Sequence, residues 1–348
     1  MNNDTLPRLR FLIFGVGAIG TYIGGSLLLA GEEVVFIERP EVAESVKEKG
    51  LHLQINQKEY HISKPRIVTS VQEAIEQGEY DVAVLAVKSY DTSRVLDDLK
   101  PYKESFPPLL CLQNGVENET AIELCMGRGN VIAGTVTSSI GRRDAGNITL
   151  EKKRGVGITE GHPLSSRIQQ AFNKVGLNAS VYPHSAGMKW SKMLTNLMAN
   201  ATSAILDLSP AEIFNNPDLY KMEIHMLREA LKVIQKNGIP LTNLPGTPVI
   251  AFSWLVKYLP PTLSRPLLKR AMGQGRGTKM PSFHIDLHSG RSFSEVDYLN
   301  GAVVRFGKSS GIPTPVNEKL TKILTELTNK SIPLDFYAKN PKKLLTNE

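Results

Sequence analysis

The feature that most narrows the fold lies near the N-terminus. An apolar strand from Phe11 to Phe14 runs into Gly15-Val16-Gly17-Ala18-Ile19-Gly20, which opens an apolar helix reaching Ala30 and closed by Gly31. Glycines at this spacing have separate tasks. The first permits a tight turn, the second lets a pyrophosphate approach the main chain, and the third lets helix pack on strand. The helix start adds free N–H groups and a partial positive charge, so a dinucleotide phosphate is the group such a loop suits. The motif alone is weak; with a strand before it and a helix after it, the signal becomes strong.

The rest of the first half repeats this rhythm. A strand from Val34 to Ile37 is followed by a helix to Lys49, with Gly50 as its stop. Leu51 to Ile62 alternates around a polar Asn56-Gln57 turn, which predicts a hairpin. Asp81 to Val87, Leu109 to Leu112 and Val131 to Thr137 are continuous apolar runs, as expected of parallel strands covered on both faces. Short alternating strands follow from Asn147 to Thr159. The fold class predicted is α/β, with an N-terminal doubly wound Rossmann-type sheet.

Beyond His184 the period becomes helical, over Met188 to Leu206, Asp218 to Asn237, Glu295 to Ser310 and Val316 to Lys330. Gly238 to Met280 is rich in Pro and Gly and predicts short or broken helices. The expected division is a dinucleotide-binding domain over 1–184, a helical substrate domain over 185–332 and a solvated tail over 333–348. Trp190 and Trp254 are expected to pack inside the helical part.

Composition removes several function classes. No apolar run approaches the roughly 18 residues of a membrane span, and no signal peptide is recognisable. Cys111 and Cys125 form no metal-type cluster, which suits reduced thiols in the cytoplasm. The net charge of +7 gathers at Lys152-Lys153-Arg154, from Lys257 to Arg276, and at Lys339, Lys342 and Lys343. With no helix-turn-helix, zinc finger or aromatic platform beside it, this charge fits phosphate-bearing small molecules better than nucleic acid.

Three positions then invite chemistry. At the end of the second strand stand Glu38 and Arg39, where the adenosine ribose should be read. An acid there suits the hydroxyls of NAD and an arginine suits the 2′-phosphate of NADP, so the residues themselves leave that choice open. Second, Lys192, Asn196 and Asn200 recur every four residues in a segment without Gly or Pro. Read as one buried helix, they make a polar stripe whose burial without partners would cost several kcal/mol, so a small anionic or carbonyl-bearing ligand is expected there; a solvated stripe is the other reading. Third, His284 and His288 have a spacing that can bind zinc. With no third ligand evident nearby, no metal is expected.

Taken together, Gly15 to Gly20, Ala86-Val87-Lys88, Gln113-Asn114-Gly115, the Lys192/Asn196/Asn200 series and Ser294-Glu295-Val296-Asp297-Tyr298-Leu299-Asn300-Gly301 make a pattern. It resembles the ketopantoate reductase (2-dehydropantoate 2-reductase) family, in order from about Arg10 to Thr328. The resemblance implies a Rossmann domain followed by an all-α domain like the C-terminal domain of 6-phosphogluconate dehydrogenase, with catalysis in the cleft between them. It implies NADPH, preferred over NAD, reducing the C2 carbonyl of ketopantoate to give (R)-pantoate for pantothenate and coenzyme A synthesis. By the same resemblance Lys192 is the general acid and Glu295 positions it, the two forming the catalytic pair. Asn114, Asn196, Asn200 and Ser282 would hold substrate. Gly15, Val16, Gly17, Ala18, Ile19, Gly20, Arg39, Lys88, Asn114 and Glu295 would line the cofactor. Two alternatives stay in view: a reductase of another branched 2-oxoacid, and a regulatory protein that binds NAD(P) without turnover. The expected partner is a small 2-oxoacid, with a homodimer as the assembly to test.

Overall fold

The computed structural model describes residues 8–273 and 279–346. Arg276, the end of the central basic run, lies outside them. Chain contacts separate two units: Met1–Gln113 with Glu117–Lys189 and Leu244–Thr247, and Asn114–Val116 with Trp190–Asn243 and Pro248–Glu348.

The first unit is built on an eight-stranded sheet. Its strands are β1 (Arg10–Phe14), β2 (Glu33–Ile37), β5 (Arg66–Val68), β6 (Val82–Leu85), β7 (Leu109–Cys111), β8 (Val131–Val136), β11 (Val156–Thr159) and β12 (Ala179–Tyr182). Their order is β12-β11-β8-β7-β6-β1-β2-β5, and only the β8–β11 pairing is antiparallel. Successive side chains of a strand point to opposite faces, so β1 feeds two cores at once. Phe11 and Ile13 join Tyr22, Ile23 and Leu27 of α1 (Ala18–Leu29). Leu12 and Phe14 join residues of α3 (Val71–Glu76), α4 (Thr92–Leu99) and α5 (Asn118–Met126). Helices α2 (Pro40–Lys49) and α6 (Ser165–Lys174) complete the layers.

A four-stranded sheet, β4-β3-β10-β9, lies in the same unit, built from β3 (Leu51–Ile55), β4 (Lys58–Ile62), β9 (Ser139–Asp144) and β10 (Asn147–Lys152). The hairpin read from Asn56-Gln57 is present. Both residues have positive φ, 50° and 65°, as a two-residue turn matching strand twist requires.

The second unit is helical: the greater part of α7 (Ser185–Leu197), then α8 (Asn200–Leu206), α9 (Pro210–Asn215), α10 (Pro217–Lys236), α11 (Val249–Tyr258), α12 (Pro261–Gly273), α13 (Ser282–His288), α14 (Val296–Ser310), α15 (Pro315–Thr328) and α16 (Pro341–Leu345). Helix α10 sits at its centre, packing on α9, α11, α14 and α15. It carries two buried carboxylates that serve other helices. Glu229 accepts from the Val316 and Asn317 N–H groups (2.9 and 3.0 Å) in the first turn of α15. Glu223 accepts from the Ala199 N–H (2.7 Å) and the Thr202 hydroxyl at the start of α8. Anions at helix starts answer both the orphan N–H groups and the dipole.

Glu223 also explains a correction. The segment from Met188 to Leu206 is two helices, not one. Ala199 adopts a left-handed φ of 56° between α7 and α8, a conformation that costs an ordinary residue energy unless its surroundings hold it. One further expectation changes. Trp190 is buried against Phe306, but Trp254 is 54% exposed on α11, in a stripe with Ile250 and Tyr258. Within the expected tail most described residues are exposed, but Tyr337 and Leu344 are buried and Lys339 N–H donates to the Leu206 carbonyl. Among the described residues no helix is long and apolar enough to cross a membrane.

Candidate functional site

In the first unit, Gly15 takes a φ of +97°, and its N–H donates to the Ile37 carbonyl (3.0 Å), fastening the loop to the end of β2. A Cβ on Gly20 would lie 1.8 Å from the Gly15 carbonyl oxygen, whereas one on Gly17 would meet only Arg142 Nη1, at 3.9 Å. The loop therefore fits the group the sequence implies: closed where helix meets strand, and open at Gly17, where a pyrophosphate would approach. Gly17, Ala18 and Ile19 keep some exposure, while Val16 is buried. Gly20→Ala is expected to displace the Gly15 peptide and weaken NAD(P)H affinity by at least about tenfold. Fluorescence titration reads this, and an unchanged dissociation constant would refute the steric argument.

Arg142 on β9 had no sequence motif to announce it. Only the fold brings its guanidinium beside the phosphate loop.

Glu38 does something the sequence did not suggest. Its Oε2 accepts from the Val16 N–H (3.0 Å) and its Oε1 from the Arg39 N–H (2.9 Å). The carboxylate thus holds the glycine loop itself. Arg39, with a 68% exposed side chain, borders a cavity of about 520 Å³ together with Thr69, Ser70, Gln72 and Arg94.

The loops after β6 and β7 are tied together by buried amides. Gln113 Nε2 donates to the carbonyls of Val87 (3.1 Å) and Lys88 (3.3 Å) and to the Thr92 hydroxyl (2.8 Å). Thr92 donates to Asn118 Oδ1, and Asn118 Nδ2 to Ser89 Oγ. Gln113 therefore fixes the peptide on which Lys88 stands. Beneath it lies Lys189, 4% exposed, whose Nζ donates to the Gln113 carbonyl (2.6 Å) and the Gly134 carbonyl (3.2 Å). Glu119 Oε1 stands 2.7 Å from that ammonium, a buried ion pair. Burial lowers the Lys189 pKa, but Glu119, by charge and hydrogen bonding, and Cys111 together outweigh this and the net movement is upward.

In the second unit the expected substrate residues meet in pairs. Asn196 Nδ2 donates to Asn114 Oδ1 (3.1 Å). Asn200 Oδ1 accepts from the Phe283 N–H (3.1 Å), and its Nδ2 reaches Ser282 Oγ at 3.5 Å. The expected continuous ladder is thereby divided. Lys192 and Asn196 are one turn apart on α7, while Asn200 opens α8 and faces α13. Part of the polar stripe thus finds protein partners rather than waiting for a ligand. Glu295, 2% exposed, is the N-cap residue of α14, so its motif straddles a cap and the first two turns.

A glycine loop fitted to a pyrophosphate and an amide-rich helical unit carrying a half-buried lysine define a dinucleotide-dependent oxidoreductase. The ketopantoate reductase PanE/ApbA model matches residues 11–161 and its C-terminal counterpart residues 185–328. The chain belongs to the ketopantoate reductase family. Curated relatives include a 2-dehydropantoate 2-reductase of Pyrococcus horikoshii, 26% identical over 315 residues (89% of this chain, 94% of that one). Another, from Lactococcus lactis, is 26% identical over 323 residues (91% and 97%). Among solved structures, a PanE/ApbA family ketopantoate reductase from Ralstonia eutropha JMP134 superposes with a TM-score of 0.77 at 25% identity, covering 92% of this chain and 99% of that one. D-mandelate dehydrogenase with NADH and anilino(oxo)acetate shares the fold, with a TM-score of 0.76 at 24% identity and coverage of 92% and 99%.

Proposed function

We propose that this protein reduces ketopantoate to (R)-pantoate with NADPH, serving pantothenate and coenzyme A synthesis. The observation that carries the reading is the Asn114–Asn196 hydrogen bond, which sets two carboxamides one helical turn from Lys192. Bound NADPH supplies the hydride that adds to C2. Lys192 donates the proton that the carbonyl oxygen gains, and solvent then restores the ammonium. Glu295, at the start of α14, orients that lysine and offsets its charge. Asn114, Asn196 and Ser282 hold the substrate hydroxyl and carboxylate by neutral hydrogen bonds, with Asn200 positioning Ser282, while Lys88 lies toward the nicotinamide end of the cofactor. Purified protein should oxidise NADPH when ketopantoate is added, with pantoate as product. No turnover across the neutral pH range would defeat the reading.

NADP preference is part of the proposal. Glu38 is engaged with the main chain and also pairs with Arg39 (Nε to Oε1 3.6 Å), and the exposed guanidinium beside the cavity can turn from that pair to meet a 2′-phosphate. Arg39→Ala is expected to raise KM for NADPH by about tenfold or more, the worth of a charge-assisted hydrogen bond, and to leave KM for NADH nearly unchanged. Equal losses with both cofactors would count against it.

A second reading follows from the shared fold with D-mandelate dehydrogenase: the acyl group accepted is another branched or larger 2-oxoacid. Ratios of kcat/KM over a panel of 2-oxoacids separate the two. A homodimer is also proposed, and light scattering on the eluting protein reads its mass. A cofactor sensor without turnover would bind NADPH while oxidising none with any acid of the panel.

A further inference from the structure

The two histidines of α13 lacked a third ligand in the sequence, and the fold supplies one. Asp207, the C-cap residue of α8, places Oδ1 2.8 Å from His284 Nε2. The ring of His288 stacks on that of His284 with centroids 4.0 Å apart. One ligand atom from each of Asp207, His284 and His288 lies within 4.8 Å of the others.

We propose that Asp207, His284 and His288 form a site for a first-row divalent cation of the zinc type, with solvent in the remaining position. The donor set is two imidazoles and one carboxylate, which suits a borderline cation such as Zn²⁺. Ligand atoms around tetrahedral zinc stand roughly 3.3 Å apart, given bonds of about 2.0 Å, so the site closes when the stacked imidazoles rotate to turn one nitrogen each toward the ion beside Asp207. Two further features point the same way. Asp207 holds a left-handed φ of 49° at the carbonyl end of α8, where a helix disfavours an anion and favours a cation. The Ala204 carbonyl lies near the His288 ring, where it can accept from the nitrogen that does not ligate, the kind of second contact that orients a ligating imidazole. Lys339 Nζ stands 4.0 Å from Asp207 Oδ2 on a 73% exposed side chain that can turn away as a cation enters.

The ion would clamp α8 to α13, whose starts carry Asn200 and Ser282. It does not depend on the proposed reduction. Chelator-treated full-length protein is titrated with ZnCl₂ by calorimetry at neutral pH, and its thermal midpoint is followed with and without the ion. The expected result is one Zn²⁺ per chain and a raised midpoint. His288→Ala, which removes an exposed side chain, and Asp207→Asn should each weaken binding by on the order of a hundredfold. His61→Ala, from the other stacked pair, His52 and His61, should leave binding intact. Absence of binding to the unaltered protein, undiminished binding by His288→Ala, or a loss of binding in His61→Ala would overturn the proposal.

Discussion

Replacing Lys192 by alanine is expected to lower kcat with ketopantoate by about three orders of magnitude, the usual worth of a positioned general acid. The affinity for NADPH should stay within about twofold, because in the proposed role the lysine would act on a group that becomes basic only as hydride arrives. Lys192 is half-buried on α7, one turn before an asparagine whose amide is already held by Asn114. That bond fixes the far end of the helix turn, so the ammonium is presented from a rigid element rather than from a loop. Glu295→Gln should lower kcat less, since it keeps the shape at the start of α14 and removes only the charge. Lys192→Arg retains charge but moves the donor and spreads it over a planar fork, so little activity should return. If Lys192→Ala instead raised KM alone and kept kcat, the residue would be a substrate anchor and another proton donor would be needed.

What the sequence disclosed, and what it concealed, divides by distance along the chain. The glycine loop, the parallel strands and the Asn56-Gln57 hairpin depend on neighbours within a few residues, and each stands where its residues suggested. The break between α7 and α8 does not. No Gly or Pro marks it, and the carboxylate that sustains Ala199 comes from Glu223, 24 residues away on another helix. The same holds for Asp207, which meets His284 across 77 residues. Glu38 was legible as the acid ending β2, but its hold on the Val16 N–H depends on how the loop folds back. For the candidate site, residue types were readable, and the pairing of Asn114 with Asn196 and of Asn200 with Ser282 was not.

Lys189→Met is expected to cost about 3–5 kcal/mol and to lower the thermal midpoint by on the order of 10 °C, because it strands the Glu119 carboxylate without its counter-charge. The ammonium also supports two carbonyl oxygens, those of Gln113 and Gly134. Removing it leaves three acceptors short of a donor in a site that water reaches poorly. Lys189→Met with Glu119→Leu should recover a large part of the loss, since an apolar pair of similar volume replaces two desolvated charges. The pH dependence follows from the upward pKa of Lys189. A base whose folded-state pKa is raised contributes stability that is complete below its ordinary value of 10.5 and is lost as pH climbs through the higher one. The difference in midpoint between the unaltered protein and Lys189→Met should therefore stay constant from neutral to mildly alkaline pH and shrink only in strong alkali. The Gln113 carbonyl belongs to the peptide leading into Asn114, so the single variant should also raise KM for the 2-oxoacid when assayed well below its midpoint. A variant that lost stability while keeping the original KM would show that Asn114 is held by its bond to Asn196 alone.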